Sequence, residues 1–290
     1  MNLCDINEIK ALLGRHGFHF SKSMGQNFLV ASWVPQRIAE ESGIDIDSGV
    51  LEVGPGIGCL TERLSERAGK VVSVELDRAL EPVLAETLAG RENVEVVFGD
   101  LLKLNIPQLV EEKLGGLRPH VCANLPYNIT SPLISAFIEA RCFESMTVMV
   151  QKEVAQRICA PAGTGDYGAF SVYVNWHTSP EILFDVSPGC FIPQPKVTSS
   201  VIRLTARDRA PAEVEDERLF FRVVRGAFNQ RRKTLANALS SALGEYDKTE
   251  IESAIAACGL DAKIRGEALD IGGFAALSNS LAGIKNSPRP

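Results

Sequence analysis

One tetrapeptide near the middle of the chain, Asn124-Leu125-Pro126-Tyr127, combines an amide side chain, a proline and an aromatic ring. Asparagine and proline favour turns, so the simplest interpretation is a turn between a strand and a loop. The alternative interpretation is a clamp that presents a flat, amino-bearing base for a reaction. The motifs elsewhere in the chain decide between these two interpretations.

A glycine-rich loop and two carboxylates could together hold a nucleoside. Gly54, Gly56 and Gly58 are spaced two and two, whereas a dinucleotide fingerprint requires Gly-x-Gly-x-x-Gly. Glycine lets the backbone turn tightly and approach a ligand closely. Glu75 ends a later apolar run, 21 residues beyond Gly54, where an acid can accept hydrogen bonds from both ribose hydroxyls. Asp100 ends the next run and can accept a hydrogen bond from an adenine amino group.

Each of these features also has a simpler interpretation. A glycine loop is often only a turn, and a single acid after a strand is often a helix N-cap or a solvated carboxylate. The occurrence of all three after successive apolar runs favours a ligand site. Because the loop lacks the dinucleotide fingerprint, a nucleoside cofactor such as S-adenosylmethionine fits it better than NAD does.

The apolar runs that carry these residues alternate with helical patterns. The sequence predicts strands at Val50–Val53, Lys70–Glu75, Val94–Phe98, His120–Ala123 and Thr147–Gln151. It predicts helices between them at Leu60–Ala68, Arg78–Leu88 and Ser131–Ala140. This alternation is typical of a parallel α/β sheet with helices on both faces. Ligands of such sheets bind outside the carboxyl ends of the strands, so the glycine loop, the two acids and the tetrapeptide are expected at one edge.

The composition changes after residue 207, where charged residues and prolines cluster. Before that point, a strand pair is predicted at Tyr173–Trp176 and Ser200–Thr205, on either side of the proline-rich loop Phe191–Val197. After it, helices are predicted at Asp216–Leu243, Lys248–Cys258 and Gly266–Asn279. We therefore predict an α/β domain over residues 1–207 and a small all-helical domain over residues 208–290.

Composition limits the class of protein. Hydrophobic residues make up 45% of the 290 residues and charged residues 23%, as in a typical globular protein. No apolar run is long enough to cross a bilayer, and the start of the chain lacks the apolar core of a signal peptide. The seven cysteines form no Cys-x-x-Cys pair, and the four histidines do not join them at metal-ligand spacing. We therefore expect a cytoplasmic protein that binds neither a membrane nor a metal.

Positive charge is concentrated in one segment, although the formal net charge of the chain is −6. From Arg218 to Lys233 the chain contains no acid. Its six basic residues are Arg218, Arg222, Arg225, Arg231, Arg232 and Lys233. This basic segment could be a solvated helix face or a surface that binds the phosphates of a nucleic acid. Because no acid within the segment offsets its charge, we favour nucleic-acid binding.

The pattern Glu52-x-Gly-x-Gly-x-Gly58, followed by Glu75 and Asp100, resembles the class I S-adenosylmethionine-dependent methyltransferases. The tetrapeptide resembles the Asn/Asp-Pro-Pro-aromatic motif of enzymes that methylate the amino group of adenine, with leucine in the second place. These resemblances imply a Rossmann-like sheet, S-adenosylmethionine as the cofactor and an amino nitrogen as the methyl acceptor.

The second resemblance gives each residue of the tetrapeptide a role. The N6 nitrogen of adenine is a poor nucleophile because its lone pair is delocalised into the ring. The Asn124 side-chain oxygen and the Leu125 backbone carbonyl would accept its two N–H bonds and turn the lone pair toward the methyl group. Pro126 has no N–H and stiffens the turn. Tyr127 would stack on the base, which contributes about 1–3 kcal/mol.

Further segments extend the resemblance to the ribosomal RNA adenine dimethyltransferase family. They are Gly25–Leu29, Phe191–Val197, Phe228–Leu235 and Arg265–Leu269, so the match covers nearly the whole chain. The family implies cofactor contacts from Asn27, Leu29, Gly54, Gly56, Glu75, Asp100 and Asn124. It also implies that Asn124, Tyr127 and Phe191 handle the adenine. Together with Tyr127, Phe191 could sandwich an extruded base, and the alternative is that it is a buried anchor of its loop.

Two cysteines and one polar segment lie close to these motifs. Cys59 departs from the family pattern, in which a small residue without sulfur is expected. Cys122 lies two residues before Asn124 and could be the nucleophile of a covalent cytosine-C5 methylation. A cysteine in an apolar strand is more often a core residue, which is the interpretation we favour. The segment Ser21–Leu29 has the polar, glycine-hinged composition of a lid.

The C-terminal segment Arg265–Leu269 resembles the small-subunit branch of the family. Those enzymes convert two adjacent adenosines in a 3′-terminal hairpin loop of 16S rRNA to N6,N6-dimethyladenosine during assembly of the subunit. The expected partner is therefore 16S rRNA in a 30S precursor, bound by a monomeric protein. The expected RNA contacts are Arg222, Arg225, Arg231, Arg232 and Lys233.

Two alternatives to this function remain. One is methylation of adenine in 23S rRNA, and the other is RNA binding in ribosome assembly without catalysis. The sequence pI of 5.4 and the segment Arg265–Leu269 argue against the first alternative. The intact tetrapeptide and Glu75 argue against the second.

Overall fold

The computed structural model describes residues 1–18 and 26–286. Most of the predicted lid at Ser21–Leu29, including Gly25 of the family segment, lies outside the described residues. The chain forms two compact units. The first unit comprises Met1–Ala155 and Ser179–Ala206, and the second comprises Gln156–Thr178 and the segment that begins at Arg207.

The division between the units differs from the boundary drawn on the sequence. Residues 156–178 group with the C-terminal helices, whereas the sequence predicted them to belong to the α/β domain that ends at residue 207. The assignment of cofactor binding to residues 1–207 and of rRNA binding to residues 208–290 stays a prediction.

A seven-stranded sheet forms the centre of the first unit. In chain order the strands are β1 (Phe28–Leu29), β2 (Ser48–Val53), β3 (Lys70–Glu75), β4 (Val94–Phe98), β5 (Arg118–Asn124), β6 (Ser145–Gln151), β7 (Thr178–Val186), β8 (Phe191–Ile192) and β9 (Ser199–Ala206). The order across the sheet is β4-β3-β2-β5-β6-β9-β7. The five strands β4-β3-β2-β5-β6 pair in parallel in that order, and β9 runs antiparallel to β6. The remaining two, β1 and β8, form a separate antiparallel ladder.

The helices of the first unit begin with α1 (Ile6–Arg15) and α2 (Trp33–Glu41), which precede β2. Four more lie between the parallel strands: α3 (Cys59–Ser65), α4 (Glu81–Thr87), α5 (Ile106–Leu114) and α6 (Thr130–Ala140). The sequence predicted α3, α4 and α6 but not α5. Helix α7 (Lys152–Cys159) follows β6, and its residues from Gln156 onward group with the second unit. The starts of the helices are set by local chemistry. The Asp5 carboxylate caps α1 by accepting hydrogen bonds from two backbone N–H groups, and the Asn105 side chain caps α5 by accepting one from the N–H of Gln108.

The strand order reverses between β2 and β5, which are neighbours although three helices and two strands separate them in sequence. All six residues of β2 are buried, which is the continuous burial expected of a central parallel strand. At such a reversal the loops that follow the two strands leave in opposite directions and open a crevice at the carboxyl edge. The loop after β2 is the glycine loop, and the loop after β5 is the tetrapeptide.

The second unit is helical. Its helices are α8 (Ala169–His177), α9 (Glu217–Asn229), α10 (Leu235–Ala242), α11 (Lys248–Ala257) and α12 (Ile271–Asn286). Fully buried side chains such as Phe220, Leu239 and Phe274 form its core. The helices α9 and α10 approach closely at Gly226, where an added Cβ would lie 2.9 Å from the Cβ of Ala242.

The five strands predicted in the first half correspond to β2 through β6, which confirms the α/β class. The predicted strand at Tyr173–Trp176 is wrong, because these residues belong to helix α8. Aromatic and β-branched residues there imitate a strand, but Trp176 packs on Phe220 at 4.2 Å between ring centroids within the helical unit. The predicted helix Asp216–Leu243 is two helices, since the chain turns at residues 230–234.

Among the residues that the structure describes, no helix is both long enough and apolar enough to span a membrane.

Candidate active site

A cavity of about 270 Å³ lies at the carboxyl ends of β2 to β5. It brings together ten of the eleven residues predicted for the cofactor and the tetrapeptide. They are Asn27, Leu29, Gly54, Gly56, Glu75, Asp100, Asn124, Leu125, Pro126 and Tyr127. Only Phe191 of the predicted set is not among the lining residues. The sequence spacing therefore located one site, because parallel strands end at a common edge.

The glycine loop has the backbone that only glycine adopts without strain. Gly54, Gly56 and Gly58 have φ values of 66°, 60° and 89°, in the left-handed region. A Cβ added at Gly56 would lie 3.1 Å from the ring of Phe28. Side chains at these places would both strain the turn and fill the space beside the cavity.

Glu75 forms the end of β3 and is 6% exposed. One carboxylate oxygen accepts a hydrogen bond from the backbone N–H of Gly56 at 3.3 Å, and the other accepts from the N–H of Asp77 at 2.8 Å. Burial raises the pKa of Glu75, against the opposing effect of these two N–H donors. Each oxygen keeps a lone pair for a further donor, which suits a pair of ribose hydroxyls.

Asp100 follows β4 and combines two of the roles considered for it. Its carboxylate caps a short 3₁₀ turn by accepting a hydrogen bond from the N–H of Leu102 at 3.1 Å. It also pairs with Lys103 at 3.3 Å. The N-cap interpretation is therefore correct, and the same carboxylate lines the cavity.

Glu52 was part of the motif on the sequence but was not predicted as a site residue. Its carboxylate is 1% exposed and lines the cavity. The hydroxyls of Thr61 and Ser73 both donate to one of its oxygens at 2.6 Å. Burial raises the pKa of Glu52 to about 7, against the lowering effect of these hydroxyls. The carboxyl thereby joins β2, β3 and α3 beneath the glycine loop.

The tetrapeptide leaves two acceptor oxygens available. The Asn124 side-chain nitrogen donates to the backbone carbonyl of Asn27 at 3.3 Å, which fixes the amide with its oxygen on the other side. The Leu125 N–H donates to the carbonyl of Met149 at 3.1 Å. Within the described residues, neither the Asn124 Oδ1 nor the Leu125 carbonyl oxygen accepts a hydrogen bond.

The carbonyl oxygen of Pro126 differs from these two oxygens, because it already accepts hydrogen bonds. The Pro126 oxygen accepts hydrogen bonds from the Ile129 N–H and the Thr130 hydroxyl, both at 3.2 Å. These bonds close the turn that begins helix α6. The initial interpretation of the tetrapeptide as a turn is thus correct, and the two oxygens without a donor belong to residues that line the cavity.

Tyr127 has a fixed ring. Its hydroxyl hydrogen-bonds to the Ser199 hydroxyl at 2.6 Å, and burial raises the pKa of Tyr127. The ring is half-buried and lines the cavity. Ser199 begins β9 and was missed on the sequence, where a serine in a β-rich run carries no signal of such a contact.

Phe191 lies outside the cavity. It is 2% exposed and sits in the ladder of β1 and β8, opposite Leu29. This environment matches the simpler interpretation of a buried anchor. A sandwich of a base between Phe191 and Tyr127 would require the Phe191 ring to be uncovered, so its role in base binding stays a prediction.

Cys122 is a core residue, as favoured. Its side chain is fully buried in β5, and burial raises its pKa to about 12. A protonated, inaccessible thiol cannot attack a base, so the covalent alternative is wrong. No cluster of three or more His, Cys, Asp or Glu side chains in the described segments could hold a metal ion.

The basic side chains of the segment in the second unit differ in whether they have internal partners. Arg222 pairs with Glu245 at 2.5 Å. Arg231 donates hydrogen bonds to the carbonyls of residues 165 and 167 at 2.8 and 3.0 Å, and its guanidinium lies 3.5 Å from Glu267. By contrast, Arg225, Arg232 and Lys233 are exposed and form no ion pair with a described residue. Acids outside the segment therefore offset part of its charge.

The sheet and its cavity at the β2–β5 reversal define a Rossmann-like class I methyltransferase. The fold is similar to the crystal structure of the 23S rRNA methyltransferase ErmE, with a TM-score of 0.67 and 29% identity over 88% of this chain and 100% of that one. It is also similar to a dimethyladenosine transferase from Plasmodium falciparum, with a TM-score of 0.71 and 24% identity over 86% of this chain and 95% of that one.

Sequence comparison then gives the family. The chain belongs to the family described as ribosomal RNA adenine dimethylase, whose model matches residues 17–281. A relative from Geobacillus thermodenitrificans, named Ribosomal RNA small subunit methyltransferase A, is 46% identical over 276 residues, 94% of each chain. One of the same name from Alkaliphilus oremlandii is 46% identical over 274 residues, 94% of this chain and 96% of the other. The chain is thus an rRNA adenine dimethyltransferase, and its family and fold imply S-adenosylmethionine as methyl donor.

Proposed function

We propose that the chain transfers methyl groups from S-adenosylmethionine to the N6 nitrogens of two adjacent adenosines in the 3′-terminal hairpin loop of 16S rRNA. The observation that carries the chemistry is the pair of free acceptor oxygens on Asn124 and Leu125, beside the cavity that Glu75 and Asp100 line. The small-subunit substrate is supported by relatives of that name at 46% identity.

The residues of the cavity suit the proposed cofactor. The half-satisfied Glu75 carboxylate would accept hydrogen bonds from the ribose hydroxyls, and Asp100 would accept from the adenine amino group. The glycine loop leaves space for close approach by the methionine part. When bound, S-adenosylmethionine supplies an electrophilic methyl group on a sulfonium centre.

The acceptor pair positions the nucleophile. The N6 amino group has two N–H bonds, and Asn124 Oδ1 with the Leu125 carbonyl provides one acceptor for each. Because both N–H bonds point at fixed oxygens, the nitrogen lone pair is directed away from them. The backbone of Asn27 keeps the Asn124 amide in the required orientation. Positioning of this kind accounts for large rate effects without a strong general base.

Binding of the rRNA backbone is assigned to the basic segment. The exposed Arg225, Arg232 and Lys233 are free to contact phosphates, whereas Arg222 and Arg231 would have to exchange internal partners for RNA. The proposal includes a monomeric, cytoplasmic protein that acts on a 30S precursor. Sedimentation of the purified chain tests the monomer directly.

The test is methyl transfer to small subunits isolated from cells that lack this modification. We expect two adjacent N6,N6-dimethyladenosines near the 3′ end of 16S rRNA, located by mass mapping of nuclease fragments. Large subunits and free 23S rRNA serve as parallel substrates, since a fold neighbour carries the name of a 23S rRNA methyltransferase. Preferential methylation of 23S rRNA, or of adenosines elsewhere in 16S rRNA, would contradict the proposal.

A further inference from the structure

Two thiols distant in sequence meet beside the cavity. The Cys4 and Cys59 sulfurs are 2.8 Å apart, and both cysteines are free. Cys59 is the first residue of α3, directly after the glycine loop, and lines the cavity. Cys4 precedes α1 and is not among the lining residues. The proposed methyl transfer uses neither sulfur.

The environment divides the two thiols into an attacking and a resolving partner. Cys59 is 6% exposed, whereas Cys4 is only half-buried and therefore more accessible to a small oxidant. The hydrogen bond from Cys59 lowers the pKa of Cys4, and the nearby Arg63 guanidinium adds to this effect. The hydrogen-bond contact with Cys4, and then burial, raise the pKa of Cys59. A thiolate is the reactive form of cysteine.

We propose that Cys4 and Cys59 form a reversible oxidation site that a hydroperoxide converts to a disulfide between the start of the chain and the wall of the cavity. This inference goes beyond the methyl transfer. A disulfide has a sulfur separation of about 2.05 Å, so closing the pair requires a relative movement of roughly 0.8 Å from the observed contact.

The chemical steps balance with hydrogen peroxide as the oxidant. The Cys4 thiolate attacks one peroxide oxygen, the O–O bond breaks, and hydroxide leaves, so that Cys4 becomes a sulfenic acid. The Cys59 sulfur then attacks the Cys4 sulfur and displaces the hydroxyl. The hydroxide released in the first step takes up the proton that the Cys4 thiol lost on ionising and becomes one molecule of water. The displaced hydroxyl leaves with the proton of the Cys59 thiol as the second. Two electrons pass from the sulfurs to the peroxide.

The experiment treats the full chain with a small excess of hydrogen peroxide, removes the oxidant, and then alkylates the remaining thiols in denaturant, because Cys59 is buried in the folded chain. Peptide mapping should give one dominant cross-link, Cys4 to Cys59, lighter by two hydrogen atoms and reversed by dithiothreitol. We expect it to form at least about tenfold faster than any other cysteine pair. The unfolding temperature should rise by several degrees, since the cross-link closes a long loop.

Cys4→Ser and Cys142→Ser are the matched variants. Cys4→Ser should abolish the cross-link and the temperature rise while Cys59 stays alkylatable, and Cys142→Ser should change neither. Accumulation of sulfinic or sulfonic acid on Cys4 in the native chain, with Cys59 still reduced, would overturn the proposal. So would equal cross-linking among the other cysteines. The readouts are independent of methyl transfer, so this result and the test of the proposed function cannot be confused.

Discussion

The cavity of the first unit and the basic segment of the second unit hold their charged groups in different ways. In the cavity, short side chains at strand ends are fixed by backbone N–H groups and hydroxyls, as for Glu75 and Glu52. In the basic segment, long side chains reach acids elsewhere in the sequence, as Arg222 reaches Glu245. The positions of the charged groups in the cavity are set by the topology of the sheet. Those in the basic segment are set by which acids the long, flexible side chains can reach.

The largest effect is expected from Asn124→Ala. It removes one of the two free acceptor oxygens, so kcat should fall by about 1000-fold, while rRNA affinity changes little. Single-turnover methylation and filter binding on the same preparation measure the two quantities. The exposed asparagine of α10 provides a control, Asn237→Ala, which should behave like the native chain. Retained turnover in the first variant would refute the role of the tetrapeptide.

The second effect concerns the pH dependence of stability through Glu52. Its pKa in the folded chain is about 7, above its ordinary value of 4.5. The stabilisation from this group is therefore complete below pH 4.5 and is lost as the pH rises through 7. The loss amounts to roughly 3 kcal/mol. Glu52→Gln, which still accepts from Thr61 and Ser73, should remove this part of the pH dependence.

Denaturant unfolding of the native chain and of Glu52→Gln between pH 5 and pH 8 checks this prediction. The exposed carboxylate of Glu92 provides the matched variant, Glu92→Gln, which should keep the native slope. If the free energy of unfolding depended on pH in the same way in the native chain and in Glu52→Gln, Glu52 would be ionised throughout this pH range. The surroundings of its carboxylate would then be more polar than its burial indicates.

The third effect is on cofactor affinity. Glu75→Gln keeps the shape of the side chain but removes the charge, and hydrogen bonds to a charged group contribute about 1.5–3 kcal/mol. The Kd of S-adenosylhomocysteine should therefore rise about 10- to 100-fold in calorimetry, with Glu92→Gln again as the control. An unchanged Kd would remove the ribose-binding role of Glu75.

The smallest effect is expected in the basic segment, and it tests the contrast directly. The double charge reversal Arg232→Glu, Lys233→Glu should lower rRNA affinity about tenfold and reduce the salt dependence of binding. Arg222→Ala should do less, because Glu245 already pairs with this arginine. A double reversal at the exposed Lys10 and Arg209 is the control. If Arg222→Ala weakened rRNA binding more than the double reversal, the exposure of a basic side chain would not identify the residues that contact the rRNA.

The same contrast explains what the sequence could predict. The five parallel strands and the site at their ends could be located, because apolar runs mark strands and parallel strands share an edge. The hydrogen bonds of Glu52 to Thr61 and Ser73 could not, since they depend on the register of two strands and a helix. The strand predicted at Tyr173–Trp176 failed because an aromatic helix packed in a core has the composition of a strand.

The partners of the basic residues and the position of Phe191 were also beyond the sequence. Arg222 meets an acid 23 residues away across a helix pair, and no spacing rule encodes that contact. The prolines beside Phe191 suggested a rigid ring that could stack on a base, yet Phe191 is 2% exposed and lies in a two-residue ladder with β1. Short ladders of this kind leave no periodic signal.

The occupied carbonyl of Pro126 has a consequence for selectivity. The Ile129 N–H and the Thr130 hydroxyl already donate to the Pro126 oxygen, so the Asn124 amide oxygen and the Leu125 carbonyl oxygen are the two acceptors that the tetrapeptide has left for a base. A guanine placed there would direct its own O6 lone pairs at the oxygens of Asn124 and Leu125, and the repulsion would leave three acceptors without hydrogens. An adenine supplies the two missing hydrogens. The site would thus select adenine over guanine because its two acceptor oxygens repel the O6 oxygen of guanine.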